Sequence, residues 1–256
     1  MPMAATALPI DAQGYIMLAD GERASGFRLD AATGARLRSV TEPLRAPPAQ
    51  LPASRTSKIF YAVNLPSGNF PHIDRRIREM AAKAENGAKL TILGCDCAAF
   101  LEATFAGGSV AIFNAHGASE RLSLRWMRTE SENSGRWTLF YRLNRKASFS
   151  EPAWRNARRH YTIPAKPVAY LEPNELVDVS VNGAQFGNVE IVHRPLGVTQ
   201  YTEALSTVKI SALHQDGAAA GAFLDAAAYG DGEIIARYGN GRMLRYAQIE
   251  QCASAA

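Results

Sequence analysis

From Lys89 to Ile249 the sequence is a succession of short runs in which apolar and polar residues alternate, punctuated by Gly, Asn, Asp and Ser. The runs are KLTILG, GGSVAIF, RLSLRWM and RWTLFYRL, followed by LVDVSVNG, GNVEIVHR, TVKISALH, EIIARYG and RMLRYAQI. Successive side chains of a strand point to opposite faces, so a period of two buries one half of each run and wets the other. Asn114-Ala-His-Gly117 and Glu132-Asn-Ser-Gly135 supply turn chemistry between runs. An earlier run, SKIFYAVNL, has the same period. It sets Lys58, Phe60, Ala62 and Asn64 on one side and Ile59, Tyr61 and Val63 on the other. This spacing predicts a mainly β protein of sandwich or barrel type. It shows no regular βαβ alternation, which removes the usual parallel-sheet enzyme architectures.

Two stretches break the period. "FPHIDRRIREMAAKAENG", Phe70 to Gly87, repeats Ile73, Ile77, Met80 and Ala84 at helical spacing, with Pro71 suited to a first turn and Gly87 to a stop. It predicts one short helix around 72–86. "EPLRAPPAQLPAS", Glu42 to Ser54, reads as an extended connector, because proline removes backbone donors and fixes φ. At 256 residues the chain has room for two modest domains. No apolar run approaches the ~18 residues of a membrane span. The opening MPMAATALPI has neither a basic n-region nor a long h-region, so no cleavable secretion signal is expected.

The net charge of +4 is unevenly spread. Between Arg121 and Lys166 eleven bases, Arg155, Arg158 and Arg159 among them, face only Glu130, Glu132 and Glu151. Trp154, Tyr161 and the RNARRH run have the composition of a nucleic-acid surface. Bases on strands alternate between faces, however, so a solvated face plus loop is the expectation.

The glycine-rich span His214 to Gly241 fails each ligand template at a named position. Gly230-Asp-Gly232 leads into Glu233-Ile-Ile, a strand start without the third glycine of a dinucleotide fingerprint. Gly217-Ala-Ala-Ala-Gly221 is followed by Ala222-Phe223, where a phosphate loop needs Lys and Ser or Thr. Asp225, Asp231 and Glu233 lack the alternating pattern of a calcium loop. A chain of β-turns remains: Asp216-Gly217, Gly230-Asp-Gly232 and Gly239-Asn-Gly241. No nucleophile elbow is present, and His72, His116, His160, His193 and His214 form no metal-spaced pair. Cys95, Cys97 and Cys252 are too few for a structural zinc site and read as free thiols. The expectation is a protein that is not an enzyme, with no catalytic, cofactor-binding or metal-binding residues and no cofactor.

The order of the pieces carries a resemblance. His214-Gln-Asp-Gly217 with Gly221, then Tyr229-Gly-Asp-Gly232, Ala236-Arg-Tyr-Gly-Asn-Gly241 and Ala247-Gln-Ile249 resemble the C-terminal part of the bacterial flagellar hook protein. Ala218 stands where that pattern has an aromatic residue. Asp11-Ala-Gln-Gly-Tyr15 resembles the family's "GYxL" strand, and SKIFYAVNLPSG its "NLP" segment leading into the second domain. Gly107 to Gly117 with RLSLRWMRTESENSGRWTLFYRL resembles the block "GGxxxVYDxxGxxxxxxLxWxKTxxxxxxxWxLFY", and Leu196-Gly-Val-Thr-Gln-Tyr201 its "GLTQ(F/Y)" return.

The resemblance implies two β domains: a discontinuous one from residues 1–65 plus 198–256, and an inserted barrel-like one from 66–197. It further implies a subunit of the hook, the curved universal joint between rod and filament, with other hook subunits and neighbouring rod or junction proteins as partners. Neither nucleic acid nor membrane would be a partner. The location would be extracellular, at the flagellar hook and basal body, after export without a cleavable signal. Family members have long terminal helices that drive polymerisation, and this sequence has none. The expectation is therefore a core fragment, or a truncated relative unable to form an ordinary hook. Two alternatives stand beside it. One is a carbohydrate- or nucleic-acid-binding β module using Trp126, Trp137, Trp154 and the basic segment; the other is a rod or hook-cap component.

Overall fold

The computed structural model describes residues 6–67, 75–77, 79, 88–128, 136–162, 174–193, 197–201 and 206–250. Its strands are β1 (Thr6–Ala7), β2 (Ser25–Arg28), β3 (Glu42–Pro43), β4 (Gln50–Leu51), β5 (Lys58–Asn64), β6 (Thr91–Leu93), β7 (Phe105–Phe113), β8 (Ser119–Arg128) and β9 (Arg136–Arg142). They continue as β10 (Pro152–Thr162), β11 (Asn174–Val181), β12 (Ala184–Val192), β13 (Val198–Thr199), β14 (Lys209–Gln215), β15 (Gly221–Ala228), β16 (Glu233–Tyr238) and β17 (Met243–Ile249). The chain is mainly β, as its period of two requires.

The chain divides into two compact units, one made of Met1–Ala53 with Ala219–Ala256 and the other of Ser54–Ala218. The boundaries expected at 65/66 and 197/198 thus move to 53/54 and 218/219. Hydrogen bonding is the reason. β5 pairs in parallel with β12 and β13 and antiparallel with β14, so both β5 and β14 are built into the inserted unit.

In the unit formed by both chain ends, one sheet runs β1-β15-β16-β17-β2-β3, with β4 added on β15. The period-two reading of EIIARY is visible in its burial: Ile234, Ala236 and Tyr238 lie in a core with Leu8, Ile16, Leu44 and Tyr246. Gly232 and Gly241 take left-handed backbone at φ 80° in the turns flanking β16, a conformation that carries no Cβ penalty for glycine. The proline-rich connector is less irregular than expected, since it contributes β3 and β4. β3, with Pro43, ends the sheet path, where a missing N–H is tolerated.

The inserted unit holds two five-stranded sheets, β6-β10-β9-β8-β7 and β11-β12-β5-β13 with β14 on β5. Their facing sides share a core that includes Ile59, Tyr61, Trp126, Trp137, Leu139, Tyr141, Tyr161, Val189 and Ile191. The opposite face of the first sheet is also covered. Met127, Phe140 and Trp154 pack with Ile77, Ile92 and Phe100, the last from helix α1 (Cys97–Glu102). Burial on both faces explains why Leu139, Phe140 and Tyr141 are large hydrophobic residues at consecutive positions. Helix α1 was not legible in the sequence. Of the helix expected around 72–86, residues 75–77 and 79 are helical and the remainder lies outside the described residues, as do the turn Glu132–Gly135, Lys166 and Leu196. The RNARRH run, expected as a solvated face plus loop, is part of the eleven-residue strand β10.

Candidate functional site

β5 is the strand on which the distinctive sequence pieces converge. Its beginning is fixed by Gln215-Asp216-Gly217. The Asp216 carboxylate accepts from the Ser57 amide at 2.8 Å, the Lys58 amide at 2.9 Å and the Ser57 hydroxyl at 2.6 Å. Burial raises this carboxyl's pKa, but these donors outweigh it and hold the group below its ordinary value. The buried Thr56 hydroxyl donates to Gln215 Oε1 at 2.7 Å and accepts from the Phe113 amide at 2.9 Å. Ser54 and Ala218 exchange backbone bonds of 2.9 and 2.8 Å. The incoming and outgoing chain crossings are therefore clasped together.

Gly217 is needed for proximity rather than for a turn. A Cβ there would lie 2.5 Å from Thr56 Oγ1 and 2.6 Å from Thr56 N. The expected Asp216-Gly217 β-turn is thus replaced by a bend pressed against Thr56. Of the three turns read in this span, the other two, Gly230-Asp-Gly232 and Gly239-Asn-Gly241, flank β16.

A second clasp holds the end of β5. Asn64 Oδ1 accepts from the Tyr201 amide at 2.8 Å and from the Thr199 hydroxyl at 3.0 Å, while Gln200 Nε2 donates to the Pro66 carbonyl at 2.6 Å. Val198 and Thr199 lie in parallel register with Val63 and Asn64. The NLP and VTQY pieces are thus two sides of one contact.

The middle of β5 carries a buried polar network. The Tyr61 hydroxyl donates to the Gly107 carbonyl at 2.6 Å and accepts from Trp126 Nε1 at 2.9 Å. A Cβ at Gly107 would come within 2.7 Å of that hydroxyl, and one at Gly108 within 2.6 Å of Ile210 Cδ1. The paired glycines therefore let β7 approach β5 and β14. His193, fully buried, contacts the Tyr61 carbonyl through Nδ1 at 2.8 Å and the Tyr161 hydroxyl through Nε2 at 3.0 Å. With Nδ1–H donating, Nε2 accepts from Tyr161 O–H, whose oxygen in turn accepts from Asn174 Nδ2 at 3.2 Å. Burial drives the imidazole pKa down to about 4, and that of Tyr161 up to about 12.

The remaining candidates do not meet. The His116 and Ala118 amides bond Asn114 Oδ1 in an exposed turn, His160 contacts the Thr138 hydroxyl at 2.8 Å, and His214 stacks on Phe60 at 4.9 Å. His72 and Cys252 lie outside the described residues. Cys95 and Cys97 are free thiols, and burial raises the Cys97 pKa. Among the described residues no group of three His, Cys, Asp or Glu could hold a metal ion. No described helix is long and apolar enough to cross a membrane. Trp126, Trp137 and Trp154 are at most 3% exposed, which corrects the binding-module reading: their rings are core and offer no face to a base or sugar.

No protein-family model matches the chain, and no curated protein sequence matches it. Among solved structures, the crystal structure of the Helicobacter pylori flagellar hook protein FlgE2 is similar with a TM-score of 0.60 at 12% identity, covering 96% of this chain and 80% of that one. The chain has a hook-protein-like fold.

Proposed function

We propose that this chain is a structural subunit of the bacterial flagellar hook, contributing β-domain surfaces to a homopolymeric tube. Its neighbours would be other hook subunits and the adjoining rod or junction proteins. Its role is mechanical, without catalysis or cofactor, and its place is outside the cell, at the flagellar hook. The observation that carries the reading is the fold likeness over 96% of the chain, combined with the function of the hook-like sequence pieces as fasteners of β5. Ser57 with Asp216, and Asn64 with Tyr201, join pieces that lie far apart in sequence. Such clasps suit a subunit that transmits torque, because load on the crossings is shared by paired strands. Gold-labelled antibody against this chain, applied to flagella of the source bacterium, should decorate the curved segment between rod and filament. Label confined to the rod or the hook tip would favour a rod or cap component. Absence of label from flagella, with the protein found elsewhere in the cell, would defeat the reading.

A further inference from the structure

In the unit formed by both chain ends, guanidinium groups lie over aromatic rings. Arg23 and Arg45 lie over Tyr15 at 4.2 and 4.8 Å from its centroid, and Arg28 lies over Tyr246 at 5.1 Å. Arg28 and Arg45 line one cleft of about 390 Å³, together with Tyr15, Arg38, Glu42 and Pro43. Strand pairing sets the two arginines. Arg28 ends β2, which pairs with β3 through Gly26 and Glu42, and Arg45 follows β3 in an antiparallel bridge with Tyr15. Tyr246 is only 4% exposed, so the ring under Arg28 is held by the core. Stacking restrains a guanidinium while leaving its in-plane N–H groups open to an acceptor, which lowers the entropy lost when one arrives.

The charges of the cleft do not balance. Its one carboxylate, Glu42, is paired with Arg38 at 3.2 Å, and Arg23 on the Tyr15 ring is paired with Asp11 at 3.0 Å. Among the described residues Arg28 and Arg45 have no carboxylate partner; Arg45 Nη2 donates to the neutral Tyr15 hydroxyl at 3.1 Å. Three cations against one carboxylate leave two positive charges in excess. The loop that carries Arg38 also leaves Leu37 56% and Val40 72% exposed. A phosphate or an anionic polysaccharide would meet the charge and gain nothing from these two side chains, whereas a polypeptide would bury them.

We propose that this cleft docks an acidic segment of another polypeptide, whose carboxylates pair with Arg28 and Arg45 and whose apolar side chains cover Leu37 and Val40. A guanidinium fork takes both oxygens of a carboxylate, which fixes the register of the segment. The docking does not depend on the chain being a hook subunit.

The test follows backbone amide shifts of the whole ¹⁵N-labelled chain at constant ionic strength. The titrants are the capped hexapeptide Ala-Glu-Leu-Glu-Leu-Ala, its counterpart Ala-Gln-Leu-Gln-Leu-Ala, the leucine-free Gly-Glu-Gly-Glu-Gly, and dextran sulfate. A saturable shift with the first peptide, centred on Tyr15, Arg28, Leu37 and Arg45, is expected, with weaker binding of the leucine-free peptide and none of the glutamine peptide. Arg28→Gln, at an exposed position, should keep a thermal midpoint close to the parent's and weaken binding about tenfold, the worth of one charge-assisted pair. Lys209→Gln, which removes an exposed charge from the inserted unit, should leave affinity unchanged. Each of the following would overturn the docking surface: no shift with the first peptide, shifts centred elsewhere, equal binding of the glutamine or leucine-free peptide, or tighter binding of dextran sulfate at these residues. Undiminished affinity in Arg28→Gln, or an equal loss in Lys209→Gln, would do the same.

Discussion

Acidification should weaken the inserted unit through His193 by an amount that follows from its surroundings. The imidazole has a folded pKa of about 4 against an ordinary 6.5. Between those values the unfolded chain binds a proton that the folded chain refuses, so stability falls as the pH drops through 6.5 and the loss is complete below 4. The full effect is about 3 kcal/mol, of which about 2 kcal/mol is lost between pH 8 and pH 5. The cause is burial, which penalises the charged imidazolium, with the nearby Arg159 charge acting in the same sense and the Tyr61 carbonyl opposing both.

The measurement is urea unfolding followed by tryptophan fluorescence. All three tryptophans, Trp126, Trp137 and Trp154, lie in the inserted unit, so the signal reports on that unit alone. Asp216 also titrates, and in the same sense, because a carboxyl held below its ordinary pKa loses its stabilisation as the pH falls. His193→Gln separates the two, since the amide keeps a donor and an acceptor but carries no proton equilibrium in this range. The stability difference between parent and variant should change by about 2 kcal/mol between pH 8 and pH 5. A difference that stays flat, or an imidazole proton titrating near 6.5 by NMR, would refute the reasoning.

Gly217→Ala places a Cβ 2.5 Å from Thr56 Oγ1 and 2.6 Å from the Thr56 amide nitrogen, so the backbone must move. It should cost about 1–3 kcal/mol in the same unfolding assay. Tyr61→Phe removes the partner of both Trp126 Nε1 and the Gly107 carbonyl, and should lower stability by about 1–3 kcal/mol while shifting tryptophan emission. Asn64→Ala deletes the acceptor for Tyr201 and Thr199 at the far clasp. Faster exchange of the Tyr201 amide, and a loss of about 1–2 kcal/mol, are expected.

The strands were legible because burial on one face writes itself into every second residue, as Ile59, Tyr61 and Val63 of β5 illustrate. The short helix α1 was not, because its six residues give too few turns for a period to emerge. β15 was hidden by its own composition: GAFLDAAA reads as part of a turn-rich stretch, and its alanines become strand residues only through pairing with β16. The division at Ala53/Ser54 differs from the boundary that the resemblance implies at 65/66, because it is defined by hydrogen bonds to Phe113, Gln215 and Ala218, which no local signal announces. Asp216 and Asn64 were visible as parts of ordered motifs. Their partners were not, because those contacts span more than a hundred residues.

Polymerisation tests the account most directly. Joined to the two terminal helical segments of a hook protein, this chain should form hollow tubes visible by negative-stain electron microscopy, and the Gly217→Ala and Asn64→Ala clasp variants should give fewer or shorter tubes. A grafted chain that folds, shown by native tryptophan emission, yet remains monomeric at all concentrations would contradict the proposed role.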